Sequence, residues 1–154
     1  MRTFKTGVAA LAAVAALWAF LRWRAAADPI LVPLRGASPG AVVKLEVSRN
    51  GMAGVYEKKA GRWSGEPERC EALAAAAATL KLQGSVSRDP DTYGSYGVDE
   101  PSAVRLRVWL EGEAAPALDA YIGRPAFGGG TAYVRLKEEQ DVRLATGLAS
   151  DFLK

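Results

Sequence analysis

From residue 42 onward, hydrophobic and polar positions alternate in short blocks, the period of strands with one buried face. Val43, Leu45 and Val47 alternate with Lys44, Glu46 and Ser48. Asn50-Gly51 follows as a hairpin turn signal, and Met52 to Lys58 supplies the returning strand. Lys59-Ala60-Gly61 turns the chain again into Arg62-Trp63-Ser64. Three short antiparallel strands are the economical reading of this stretch.

The period changes at Glu66. Pro67 suits a first helical position, Glu66, Glu68 and Glu71 favour a helix amino end, and Lys81 favours a carboxyl end. Leu73, Ala76, Ala77 and Leu80 form one stripe, which predicts a helix closed by Gly84. The alanines from 74 to 78 carry so little bulk that this helix can lie close against a sheet. Ser85 to Arg88 reads as a short strand before an Asp89-Pro90 turn.

Strand alternation then returns. Val104, Leu106, Val108 and Leu110 alternate with Arg105, Arg107 and Trp109, and Glu111-Gly112-Glu113 makes a turn. Leu118 to Ile122 is the next strand, stopped by Gly123, and residues 131–136 and 141–145 form a final hairpin. Residues 147–153 are expected to form a terminal helix. Without a strand-helix-strand alternation along the chain, a parallel doubly wound sheet is disfavoured. The expected class is α+β, a mainly antiparallel sheet with one central helix and a short C-terminal helix.

Ahead of this domain lies an unbroken apolar run, Gly7 to Leu21, flanked by Arg2 and Lys5 on one side and Arg22 and Arg24 on the other. Fifteen residues of helix cover about 22 Å, short of the roughly 30 Å hydrocarbon core. That length, with Ala25-Ala26-Ala27 before Asp28, suits a cleaved export signal. The arginines beyond the run and the aromatic Trp18 and Trp23 suit an interfacial belt and a retained anchor. Both readings stay open, with a transmembrane anchor over 1–27 as the expectation; Gly7, Leu11, Val14, Leu17, Trp18, Phe20 and Leu21 are its anchor residues. Pro29, Pro33, Gly36 and Pro39 make residues 28–41 an extended linker to a single domain at 42–154.

Charge gains meaning once divided along the chain. The first 27 residues hold four of the 20 Lys and Arg and none of the 17 acids. The remainder therefore carries 16 basic against 17 acidic groups, a net charge of −1. The basic isoelectric point belongs to the amino-terminal segment, and the near-neutral domain gives no electrostatic footprint for nucleic acid.

Candidate chemistry is sparse. The chain has no histidine, which removes Ser-His-Asp and Cys-His catalysis and histidine-ligated metal. The one cysteine, Cys70, forms no intramolecular disulfide and reads as a small helix residue. Asp89, Asp91 and Glu100 occupy three calcium-loop positions, but Pro90 and Tyr93 break that pattern. Gly128-Gly129-Gly130 lacks the lysine and helix of a phosphate cradle and reads as a loop. No catalytic, cofactor-binding or metal-binding residue is assigned, and no cofactor is expected.

The order of motifs is recognisable. Arg62-Trp63 and Glu66-Pro67 precede a helix; Tyr96-Gly97-Val98-Asp99-Glu100-Pro101, Tyr121-Ile122-Gly123, Ala132-Tyr133-Val134-Arg135 and Asp141-Val142-Arg143-Leu144 follow. Together they resemble the bacterial "domain of unknown function 4340" family over roughly residues 42–153. The resemblance singles out Trp63, Pro67, Tyr96, Gly97, Asp99, Pro101, Gly123 and Tyr133 as signature residues, read as structural. It implies a single-pass inner-membrane anchor with the domain outside the cytoplasm, and an association with ABC-type transporter subunits. A non-enzymatic, membrane-tethered interaction domain is the leading expectation. The runner-up is an envelope module that binds glycan or lipid through Trp63, Trp109 and the tyrosines.

Overall fold

The computed structural model describes residues 14–19, 30–127 and 129–148. Residues 14–19 are helical (α1), with Val14, Leu17 and Trp18 exposed. Among the described residues no helix is long and apolar enough to cross a membrane. Gly7, Leu11, Phe20 and Leu21 of the expected anchor lie outside them.

The domain is α+β, with a mostly antiparallel sheet and short helices. Eight strands are ordered β3-β2-β1-β5-β6-β7-β8-β4, each pair antiparallel. They are β1 (Val42–Arg49), β2 (Met52–Lys59), β3 (Arg62–Trp63), β4 (Lys81–Ser87), β5 (Val104–Leu110), β6 (Leu118–Pro125), β7 (Thr131–Leu136) and β8 (Val142–Thr146). Helix α2 (Pro67–Ala78) connects the two edge strands β3 and β4, and a single turn, α3 (Tyr93–Tyr96), precedes β5. A flat sheet of this size is about 34 Å wide. The 12-residue α2 is about 18 Å long. The sheet curls around the helix, and Trp63 near one edge and Leu82 at the other belong to one core with Leu73, Ala74 and Ala77 of α2. The alanines of that face are fully or nearly fully buried, which is how one thin helix fills the hollow of a wide sheet.

Local chemistry explains the hairpins. Asn50 and Gly51 both have positive φ, +51° and +79°, the geometry of a two-residue turn whose twist matches the strands. Ala60 and Gly61 repeat it between β2 and β3, at +48° and +79°. In β1 the register shifts between Val42 and Lys44, so that Val42, rather than Val43, takes the buried position beside Leu45.

Two expectations change, and a third falls mostly outside the described residues. Helix α2 ends at Ala78 instead of running through Lys81 to Gly84: Thr79 caps it, and Lys81 and Leu82 pair with Thr146 and Ala145 of β8. Ladder bonds to a distant strand outweigh the local helical stripe, and Leu80 remains buried after leaving the helix. The terminal-helix expectation meets only Gly147 and Leu148 among the described residues, and neither is helical; residues 149–154 lie outside them. The segment that reads as a linker is packed on the domain. Leu31 exchanges both backbone hydrogen bonds with Leu82, at 2.9 and 2.8 Å, and Leu34 is buried in the main core.

Candidate functional site

Six of the eight signature residues, Tyr96, Gly97, Asp99, Pro101, Gly123 and Tyr133, gather around the face of the sheet opposite α2. Val98, Ala103, Tyr121 and Val142 form a second buried cluster there, with Tyr93, Tyr96 and Tyr133 packed against it. The chain reaches this face through α3, which ends at Gly97 with φ +69°. A side chain is strained in that left-handed conformation, and glycine is not. Val98 N–H then donates to the Tyr93 carbonyl at 3.0 Å, which drives the Val98 side chain onto the sheet. Asp99 closes the next turn: its carbonyl accepts from the amides of Ser102 and Ala103, and its carboxylate accepts from the Ser102 hydroxyl. Pro101 sits at the exposed crest of that turn.

Gly123 in β6 is the surface on which this loop rests. A Cβ there would overlap the Tyr96 carbonyl oxygen and stand 2.8 Å from Val98 Cγ1 and 3.0 Å from the Gly97 carbonyl carbon. Tyr96 and Tyr133 rings meet at 4.8 Å between centroids, tilted by 56°. Trp63 and Pro67 stand apart from this group, Trp63 buried in the α2 core and Pro67 at the first turn of α2.

Around the loop runs a ladder of charged side chains that sequence reasoning passes over. Arg105 grips Asp119 with two hydrogen bonds, 2.8 Å from Nε and 2.7 Å from Nη2. That carboxylate raises the guanidinium's already high pKa. Arg107 pairs with Glu46, its neighbour across β1 and β5. Arg135 lies between the rings of Tyr121 and Tyr93, 4.4 and 4.5 Å from their centroids, and donates to the Val98 carbonyl. Tyr121 donates its hydroxyl to Glu100 at 2.8 Å; burial, then this hydrogen bond, pushes its pKa up. The available signal is the polar half of the β5 alternation: Arg105 and Arg107 occupy the positions that a solvent-facing strand leaves to chance, and here both are matched by acids on the neighbouring strands.

A trough of about 330 Å³ opens beside the ladder, lined by Glu46, Ser48, Arg49, Ala53, Glu100, Arg105 and Tyr121 among others. Its floor is low because Ala53 and Ser48, paired across β2 and β1, are small. Guanidinium and carboxylate alternate along it, and an anionic ligand at Arg105 would have to displace Asp119. A polar protein surface with both signs of charge suits such a lining better than a sugar or an acyl chain does. The aromatic residues are engaged: Trp63 is 6% exposed, Tyr121 is buried, and Trp109 lies under Lys44 and beside Arg107.

Elsewhere, Asp141 accepts from Arg88 at 2.6 Å, Ser85 at 3.1 Å and Arg143 at 2.9 Å. Burial alone would raise its pKa, but those donors and the two arginine charges outweigh it and hold the carboxyl below its ordinary value. The Cys70 thiol is buried on α2, and desolvation raises its pKa, the opposite of an activated nucleophile. Among the described residues no group of three or more His, Cys, Asp or Glu is placed to hold a metal ion.

A curled antiparallel sheet filled by one helix, with a tyrosine loop clamped on its outer face, defines a β-rich α+β domain whose signature residues build the scaffold. The chain belongs to the family described as Domain of unknown function (DUF4340), whose profile matches residues 58–154. The match includes the clamped loop, Gly123 and Tyr133, and leaves β1 and most of β2 before it. No curated protein and no solved structure matches the chain.

Proposed function

We propose that this chain is a non-enzymatic accessory domain, tethered to the bacterial inner membrane through residues 1–27 and working outside the cytoplasm on a membrane-protein partner. The subunits of an ABC-type transporter are the partner class. The observation that carries this reading is the strap at Leu31. With Leu31 bonded to β4 and Leu34 in the core, the ten residue steps from Leu21 to Leu31 can span at most about 35 Å even at full extension. A domain on so short a tether works at the bilayer surface, within reach of proteins embedded in the same membrane. The mixed-charge trough beside the ladder supports a protein partner, since alternating pairs select register and exclude wrong partners more than they add affinity.

Crosslinking in native membranes, followed by detergent extraction, is expected to recover an integral membrane protein other than the chain itself. Reproducible recovery with no other membrane protein overturns the proposal.

A further inference from the structure

The chain has one asparagine, Asn50, and the residue after it is a glycine. Both lie at the exposed tip of the β1–β2 hairpin, whose strands pair up to Arg49 and Met52 and no further. Among the described residues the Asn50 side chain makes no hydrogen bond, and neither does the Gly51 amide. A Cβ built on Gly51 would meet nothing within 4 Å, so the peptide between the two residues can rotate without touching the domain. Asparagine tolerates the positive φ of this turn better than most side chains do. The turn does not require it, however: Ala60-Gly61 takes φ +48° and +79° where Asn50-Gly51 takes +51° and +79°. What sets the first turn apart is a carboxamide carbon that rotation about ψ and χ1 brings to an unbonded backbone nitrogen.

We propose that Asn50 is a self-modifying site, at which the carboxamide is converted to a carboxylate with water as the only co-reactant. The Gly51 amide gives its proton to hydroxide, and its nitrogen forms a bond to Asn50 Cγ. The Cγ–Nδ2 bond breaks, and the departing nitrogen takes a proton from water and leaves as ammonia, which regenerates the hydroxide. A five-membered cyclic imide now joins the two residues. Water opens it at either carbonyl: attack at Cγ gives aspartate, and attack at the backbone carbonyl of residue 50 gives isoaspartate, in which the main chain runs through the former side chain. No atom is oxidised or reduced. Glycine obstructs the attack least, having no side chain beside its nitrogen. Gln83 and Gln140 would have to close a larger ring, and Gln83 is held in the ladder against Leu144.

The site stands at the rim of the mixed-charge trough, with Arg49, Asn50 and Gly51 among its lining residues. Arg105 and Arg107 in that lining are held by Asp119 and Glu46, whereas Arg49 has no acid partner among the described residues. The new carboxylate stands next to Arg49 and supplies one. Conversion runs one way, so it ages the trough: a fresh chain presents an unmatched guanidinium there and an old one does not. Isoaspartate also adds a backbone atom to a two-residue turn, and the length of that turn is what sets Arg49 opposite Met52. The chemistry rests on the hairpin alone, independently of the transporter reading.

The test incubates the full chain in detergent at mildly alkaline pH and follows the peptide that carries residue 50 by mass spectrometry, with isoaspartate scored by labelling with an isoaspartyl methyltransferase. The expected result is the mass gain of an amide-to-acid exchange at position 50, both isomers present, and a rate that rises about tenfold per pH unit as the amide anion does. Asn50→Gly, which keeps a left-handed turn, is expected to give no product. Because the hairpin tip opens locally, the folded chain is expected to react at no less than about a hundredth of the rate of the urea-unfolded chain, and at a constant rate in sub-denaturing urea. A folded chain that converts more slowly than that, or a rate that climbs with urea in step with the unfolded population, overturns the proposal by showing that the hairpin protects Asn50. Aspartate formed without isoaspartate overturns the cyclic step.

Discussion

Replacing Gly123 by alanine tests the claim that the family signature is a clamp. The new methyl group overlaps the Tyr96 carbonyl oxygen and presses on Val98 Cγ1 at 2.8 Å, and two of its three nearest neighbours are backbone atoms that no rotamer change can move. Either β6 or the loop must shift by about an ångström. Overpacking of this kind costs about 1–3 kcal/mol. Lifting the loop exposes Val98, which is wholly buried, at about 2 kcal/mol. It also releases the Tyr121 to Glu100 hydrogen bond, worth about 1 kcal/mol. The cheaper of the two responses sets the loss, so about 1–3 kcal/mol is expected, a fall in Tm of roughly 4–12 °C for a domain of this size. Urea and thermal unfolding followed by circular dichroism measure it. Gly94→Ala in the same loop is the control: nothing lies within 4 Å of its Cβ and its φ is not positive, so the change is expected to be neutral or stabilising by a few tenths of a kcal/mol. A Gly123→Ala protein whose midpoint matches the parent within about 2 °C would refute the clamp.

Three further predictions concern other parts of the fold. Leu34→Ala is expected to cost about 2–4 kcal/mol, because a buried leucine is truncated, and a chain beginning at residue 42 is expected to unfold more readily than one beginning at residue 28. Equal urea midpoints for the two lengths would mean that the strap contributes nothing. Asp141→Asn is expected to cost about 2 kcal/mol at pH 7, since the carboxylate holds three donors. Its folded pKa is lowered, so its contribution is complete above its ordinary value of 3.8 and disappears as pH falls through the lower folded value. Urea midpoints of the variant and the parent should therefore converge below about pH 4; a constant gap down to pH 2 would show that the effect is not ionic.

What alternation and turn chemistry dictate, the sequence settles alone. The β1–β2 hairpin follows from period-two patterning around Asn50-Gly51, and the main antiparallel character follows from the absence of strand-helix-strand alternation; both depend on residues adjacent in the chain. The stop of α2 at Ala78 was not legible, because Lys81 and Leu82 satisfy their backbone on β8, more than sixty residues away. Nor was the strap, because Leu31 and Leu34 sit among prolines and a glycine and acquire meaning only when β4 becomes an edge to be covered. The outer ladder lay half in view: Arg105 and Arg107 were visible as the polar members of β5, while their acids Asp119 and Glu46 come from the strands on either side. Gly123 was legible as a strand stop and a family mark, yet its reason is a carbonyl from Tyr96 brought against it by folding. Local pattern groups the side chains that share a face of a strand, since side-chain period is a property of the backbone, until a bulge such as the one between Val42 and Lys44 shifts it. Strand order, edge covering and close approach are decided by which distant groups must share hydrogen bonds and space, and only the tertiary structure states that.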